Sequence, residues 1–183
     1  KNADEAVKAA AELGYPVVLK ADGDIAHKTE AGAVKLDLRA ADALRAACAA
    51  MKAAKDGFLV QPMLTGGVEL VVGIKRDPQV GPVLLVGLGG VLVEILRDTV
   101  LALAPVGKAE ARRMLERLKG FKLLQGYRGA PAADLDALCE AIARISEFAA
   151  DFADQVEEID VNPLLARPDG AVALDALIVL REE

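Results

Sequence analysis

Apolar and polar positions divide the 183-residue chain into stretches of helical and of extended period. Ala6, Val7, Ala10 and Leu13 recur at helical spacing behind Asn2, a residue suited to an N-cap, and Gly14 is the natural stop. Tyr15-Pro16-Val17-Val18-Leu19-Lys20 reads as a short strand that ends in a cation. The next stretch, ADGDIAHKTEAG, is polar and longer than most connections. Val34, Leu36 and Leu38 then alternate with Lys35 and Asp37 as a half-buried strand, about 40–54 is helical, and Phe58 to Met63 is a strand before the turn Thr65-Gly66-Gly67.

Beyond that turn the period is mostly two. ELVVGIKRD, PVLLVGL and VLVEIL are strands separated by Asp77-Pro78 and by Gly87-Leu88-Gly89-Gly90, with LALAPV closing the run. Such short connections favour antiparallel pairing. Helices are expected over about 108–118 and 134–151, the second capped by Asp134 with Leu135, Leu138, Ile142, Ile145 and Phe148 on its inner side. The end reads as two strands joined around Pro168-Asp169-Gly170. The whole is expected to be α+β, with a smaller lobe over 1–64 and a larger one over 65–183.

Composition narrows the function classes. Hydrophobic types make up 54% and charged types 27%, which excludes disorder. A net charge of −6, aromatics at 3% and no Trp argue against a nucleic-acid binder. No apolar run reaches the roughly 18 residues of a membrane span, and Cys48 and Cys139 sit in Ala-rich helical patterns without a metal-ligand companion. We therefore expect a reducing, cytoplasmic setting without nucleic-acid or membrane partners. The start, KNADEAVKAA, resembles neither a signal peptide nor an initiation site, so the chain reads as part of something longer.

Several residues carry candidate chemistry, each with a plainer alternative. Lys20 is either a snorkelling or solvent-facing lysine at a strand end or a point charge for phosphate. Asp160 and Asn162, two apart on an extended segment, share a face, and the turn at Pro168-Asp169-Gly170 folds Asp175 back towards Asn162. A carboxylate and an amide oxygen so placed suit Mg²⁺; otherwise Asn162 caps a turn and Asp175 is a surface acid. His27, the single histidine, is either an ordinary loop residue or a nucleophile in a polar loop. Gly87, Gly89 and Gly90 either approach an anion or form a turn, and Glu69 either accepts from sugar hydroxyls or is a solvated strand end. Gly126-Tyr127-Arg128-Gly129 puts a cation in a turn, facing an anion or solvent.

Taken together, GYPVVLK, HKTEAGAVKL, LVQPMLTGGVELVVG, RDPQVGPVLLVGLGGVLVEIL, RGAP and EEIDVNPLLARPDGAVALD resemble, in order, the ATP-grasp domain of NDP-forming acyl-CoA synthetases, relatives of the succinyl-CoA synthetase β subunit. The resemblance covers essentially the whole chain and is most specific from Glu158 to Asp175. It implies an ATP-grasp fold, two α+β lobes with largely antiparallel sheets and a nucleotide cleft between them, using ATP/ADP and Mg²⁺. Lys20 then matches the phosphate-binding lysine, Gln61, Pro62 and Met63 the hinge that meets adenine, and Glu69 the acid near the ribose. Asn162 and Asp175 match the Mg²⁺ pair, and Asp160 the acid that contacts a phosphohistidine arriving from the CoA-binding part of the enzyme. His27 matches a histidine thought to relay phosphate in the ADP-forming branch.

Two departures from the family stand out. Gly32-Ala33 replaces the usual Gly-Gly, and the family carries a further helix and strand ahead of Lys1, so the smaller lobe is expected to be without its N-terminal segment. The implied partners are CoA-binding and ligase domains of the same enzyme, on the same chain or an α subunit. The alternative is a regulatory, non-catalytic synthetase-like region fused to a protein lysine acetyltransferase.

Overall fold

The computed structural model describes residues 2–22, 32–52, 54, 56–90 and 98–181. Contacts divide the chain into two units, Lys1–Thr65 and Gly66–Glu183. In the first, helix α1 (Ala3–Leu13) starts where the Asn2 side chain accepts the Glu5 N–H at 2.9 Å and stops at Gly14, whose φ of 84° suits glycine. Strands β1 (Val17–Ala21), β2 (Val34–Leu38) and β3 (Phe58–Pro62) form an antiparallel sheet in the order β2-β1-β3, with helix α2 (Ala41–Ala50) between β2 and β3 in sequence. Val17, Leu19 and Ala21 pack with Ala10, Leu44 and Ala47 of the helices. All five residues of the central strand β1 are buried, Lys20 included.

The second unit is built on β4 (Val68–Asp77), β5 (Gly81–Leu88), β6 (Thr99–Leu103), β7 (Val156–Arg167), β8 (Gly170–Ala173) and β9 (Ala176–Leu180). Every pairing is antiparallel, in the order β6-β5-β4-β7-β8, with β9 also on β7. Helices α3 (Lys108–Arg117), α4 (Phe121–Leu124) and α5 (Leu135–Asp151) cover one face. Alternation decides which side chains meet them: Leu70, Val72 and Ile74 of β4 are buried with Leu84 and Val86 of β5, while Lys75 is exposed. Each fully buried leucine contributes about 1.5–3 kcal/mol, which holds this sheet against its helices.

The strand expected over VLVEIL lies outside the described residues, and two other expectations change. The last segment forms three strands rather than two, because the second arm of its hairpin is interrupted at Leu174-Asp175. Phe148 faces outwards at 38% exposure and stacks on Phe152 at 4.7 Å, because the inward stripe runs through Leu138, Ile142 and Ala149 instead. The Asp134 cap forms as expected, its Oδ1 accepting from Asp136 and Ala137 at 3.1 and 2.9 Å. No described helix is long and apolar enough to cross a membrane.

Candidate nucleotide and metal site

The most specific residues of the chain lie on β7, and its inward pattern shows how they are set. Ile159 and Val161 face the core, and so do Leu164 and Ala166, so the inward phase shifts by one between them. The sheet accommodates this with a bulge: Leu70 pairs with Leu164 and Val72 with Val161, leaving Asn162 and Pro163 opposite Val71 alone. Bulges re-aim side chains, and this one sits where Asn162 is exposed. On the other side of β7, β9 pairs with Val156–Val161 and β8 with Leu164–Arg167. Between them the Asn162 N–H donates to the Asp175 carbonyl at 3.1 Å, and the Leu174 N–H to that of Pro163 at 2.9 Å. Asn162 and Asp175 are thus brought to the same level on neighbouring segments.

Their oxygens suit one cation type. Among the described residues no group of three or more His, Cys, Asp or Glu side chains could cage a metal ion. One amide oxygen and one carboxylate, at an exposed and a half-buried position, fit Mg²⁺, which takes its remaining ligands from water and phosphates. Asp160 is half-buried, opposite Gly73 of β4 and Leu177 of β9. Glu158, two residues further along the same face, is paired with Lys75 at 2.9 Å, which raises the lysine pKa through that hydrogen bond. Gly73, Lys75, Leu85, Leu101, Glu158 and Asp160 line a trough of about 210 Å³. A Cβ on Gly73 would meet only the Ile159 carbonyl, at 3.9 Å, so neither packing nor backbone demands a glycine there.

The remaining candidates are placed as follows. Lys20 is 7% exposed, opposite Val34 and Leu59, and β1 continues to Ala21; the solvent-facing reading of this lysine is overturned. Gln61 lies on β3 opposite Val18, and the Met63 N–H donates to the Pro16 carbonyl at 3.0 Å. Glu69 is exposed near the start of β4. The Gly89 N–H donates to the Glu69 carbonyl at 2.6 Å, and a Cβ on Gly89 would come within 2.9 Å of Glu69, so this glycine serves a close backbone approach and its amide is committed. Ala33 is fully buried in the first unit's core, where the family's second glycine was expected. His27 lies outside the described residues. Sequence reasoning missed Asp98, 4% exposed, whose oxygens accept the N–H groups of Lys119 and Gly120 at 2.9 Å each. Its partners are backbone groups 21 and 22 residues away, and no local pattern announces them.

A sequence profile of the ATP-grasp domain matches residues 1–180. The chain belongs to this ATP-grasp family. It is 38% identical to the β subunit of acetate–CoA ligase (ADP-forming) I of Pyrococcus furiosus, over 98% of this chain and 82% of that one. It is 40% identical, over its full length, to acetate–CoA ligase (ADP-forming) I of Archaeoglobus fulgidus, of which it spans 28%. Acetyl-coenzyme A synthetase 1 of Ca. Korarchaeum cryptofilum, in complex with coenzyme A and Ca-AMPCP, superposes with a TM-score of 0.92 at 38% identity, over 99% of this chain and 83% of that one. The same synthetase has been solved with Mg-AMPPCP and a phosphohistidine segment pointing towards the nucleotide site. The fold, α+β with antiparallel sheets, is that of these ATP-grasp domains, which use ATP or ADP with Mg²⁺.

Proposed function

We propose that this ATP-grasp domain serves an ADP-forming acid–CoA ligase, exchanging a phosphoryl group between ATP or ADP and a histidine on the CoA-binding part of the enzyme. The carrying observation is the backbone hydrogen bond from the Asn162 N–H to the Asp175 carbonyl at the β7 bulge, which sets the two residues opposite each other on neighbouring segments. Asn162 and Asp175 hold Mg²⁺, which when bound neutralises charge developing on the phosphates. Lys20, a compact cation on the rigid central strand of its sheet, holds a phosphate. Met63 offers adenine its carbonyl, its N–H being engaged, while the Gln61 backbone lines the same edge and Glu69 accepts from ribose hydroxyls. Asp160 accepts a ring N–H of the incoming imidazole, leaving the other nitrogen aimed at phosphorus, and the trough beside it has room for the ring. His27 takes the phosphoryl group in passing, which a neutral imidazole can do near pH 7.

The two units correspond to the smaller and larger lobes, the larger carrying the metal pair. The partner is a CoA-binding domain in the same chain or an α subunit, and the compartment is the cytoplasm, where buried free thiols such as Cys48 and Cys139 persist. Calorimetric titration with Mg·ADP tests the metal pair: Asp175→Ala is expected to abolish the Mg²⁺ dependence of binding, and equal affinity and equal metal dependence overturn the assignment. Transfer of label from γ-labelled ATP to the full-length parent separates a working ligase from a regulatory domain, which binds without transferring. Unchanged labelling and turnover in His27→Ala removes His27 from the route.

A further inference from the structure

The segment from Lys108 to Gly129 carries seven cations and two acids in a chain whose net charge is −6. Much of that charge is already answered: Lys108 pairs with Asp136 and Glu140, Arg112 with Glu116 and Arg113 with Glu110. Lys122 and Arg128 differ. Neither has an acidic partner among the described residues, yet both are gathered on one ring, at 5.7 and 5.4 Å from the centroid of Tyr127, and all three residues are exposed. Two unanswered like charges against one exposed ring make a local positive patch, which an anion neutralises.

The backbone indicates that this placement is built. Arg128 has φ 51°, one of two described non-glycine residues with positive φ. The other, Asp37, is of a type that tolerates the left-handed region; an arginine gains nothing from it, and such strain persists only where its surroundings enforce it. Here they do. Gly126 (φ 88°) admits no side chain, since a Cβ would lie 2.8 Å from the Ala130 carbonyl, Gly129 has φ 86°, and the Ala130 N–H donates to the Tyr127 carbonyl at 3.1 Å.

We propose that Lys122, Tyr127 and Arg128 form a binding site for a phosphate dianion, separate from the residues assigned to the nucleotide. A dianion balances both cations, and its several acceptor oxygens suit an arginine fork together with a lysine point charge; a carboxylate leaves one charge unanswered. The phosphate belongs either to inorganic phosphate or to the monoester of a cofactor such as CoA.

The test is amide chemical-shift mapping of the isotope-labelled 183-residue chain at constant ionic strength, with inorganic phosphate, CoA and dephospho-CoA as probes. Saturable shifts centred on Gly126 to Gly129, insensitive to Mg·ADP, are expected. Arg128→Gly, which suits the backbone while removing the cation, lowers affinity about tenfold, and Lys122→Ala acts in the same direction. CoA binding about tenfold tighter than dephospho-CoA assigns the site to the monoester, and equal affinity for CoA and inorganic phosphate assigns it to free phosphate. The same shifts with potassium chloride alone, wild-type affinity in Arg128→Gly, or binding of a glutamate-rich peptide but not of phosphate overturns the proposal.

Discussion

Two places in the second unit hold an aspartate against backbone and use it differently. At the β5–β6 end, Asp98 is 4% exposed and both its oxygens are taken by the N–H groups of Lys119 and Gly120. Glycines crowd this end: a Cβ on Gly87 would lie 2.8 Å from the Thr99 methyl, and one on Gly120 2.1 Å from Leu88. At the β7–β9 end, Asp175 is half-buried, accepts the N–H of its neighbour Ala176 at 3.2 Å, and stands opposite an exposed Asn162 on a bulge. A carboxylate saturated by distant backbone donors pins a loop, whereas the one opposite Asn162 at a break in strand pairing belongs to the Mg²⁺ pair we propose.

The largest expected effect breaks the first half of that comparison. Asp98→Ala removes the acceptor of two part-buried N–H groups and is expected to destabilise the second unit by about 2–3 kcal/mol, read by urea denaturation. A loss below about 1 kcal/mol would mean that water replaces the carboxylate without strain. Asp175→Asn sharpens the other half. It keeps the shape and removes the charge, so Mg²⁺-dependent ADP affinity should fall by roughly 100-fold while the melting temperature stays within about 2 °C. A lower melting temperature with unchanged metal dependence would make the two aspartates alike.

Lys20→Met extends the contrast to the first unit. The thioether fills the space of the aliphatic stem, so stability should change by less than about 1.5 kcal/mol, while nucleotide affinity falls by about 1.5–3 kcal/mol. Thermal melts and titrations of the same preparation separate the two.

The smallest effects come from titration. The Arg144 hydrogen bond lowers the Glu140 pKa and that of Arg167 lowers the Asp169 pKa. Both carboxylates bind a proton less readily folded than unfolded, so their contribution is present above the ordinary carboxylate range and is lost as pH falls through the depressed values. These pairs are exposed, so Glu140→Gln and Asp169→Asn should flatten the acid limb of the stability curve only slightly. Burial raises the thiols of Cys48 and Cys139, so their contribution is present below the unfolded thiol value and is lost as pH rises through the folded one. Slow thiol labelling at pH 8 in the folded chain, and rapid labelling in urea, is the corresponding measurement.

Much of the fold was legible because its signals are local. Asn2, Gly14 and Asp134 mark helix ends by their own backbone and side-chain chemistry, and the alternation Leu70, Val72, Ile74 announces which face of β4 is buried. The one-residue phase shift in Ile159, Val161, Leu164 and Ala166 even records the bulge, since a proline without an N–H lies at its centre. Phe148 was misplaced because it falls at the border of a helical stripe, where one turn's rotation decides between core and solvent.

What the sequence by itself determined is therefore the order and type of most of the described elements, the family, and the face of β7 that carries Asp160 and Asn162. Only the tertiary structure decided that Lys20 is buried rather than solvated, that Asp98 is a buried anchor, that the Gly89 amide is committed to Glu69, and that Lys122 and Arg128 both lie against the Tyr127 ring. The reason is physical. Burial and hydrogen-bond saturation depend on atoms contributed by segments far apart in the chain, whereas periodicity and capping are properties of a few consecutive residues.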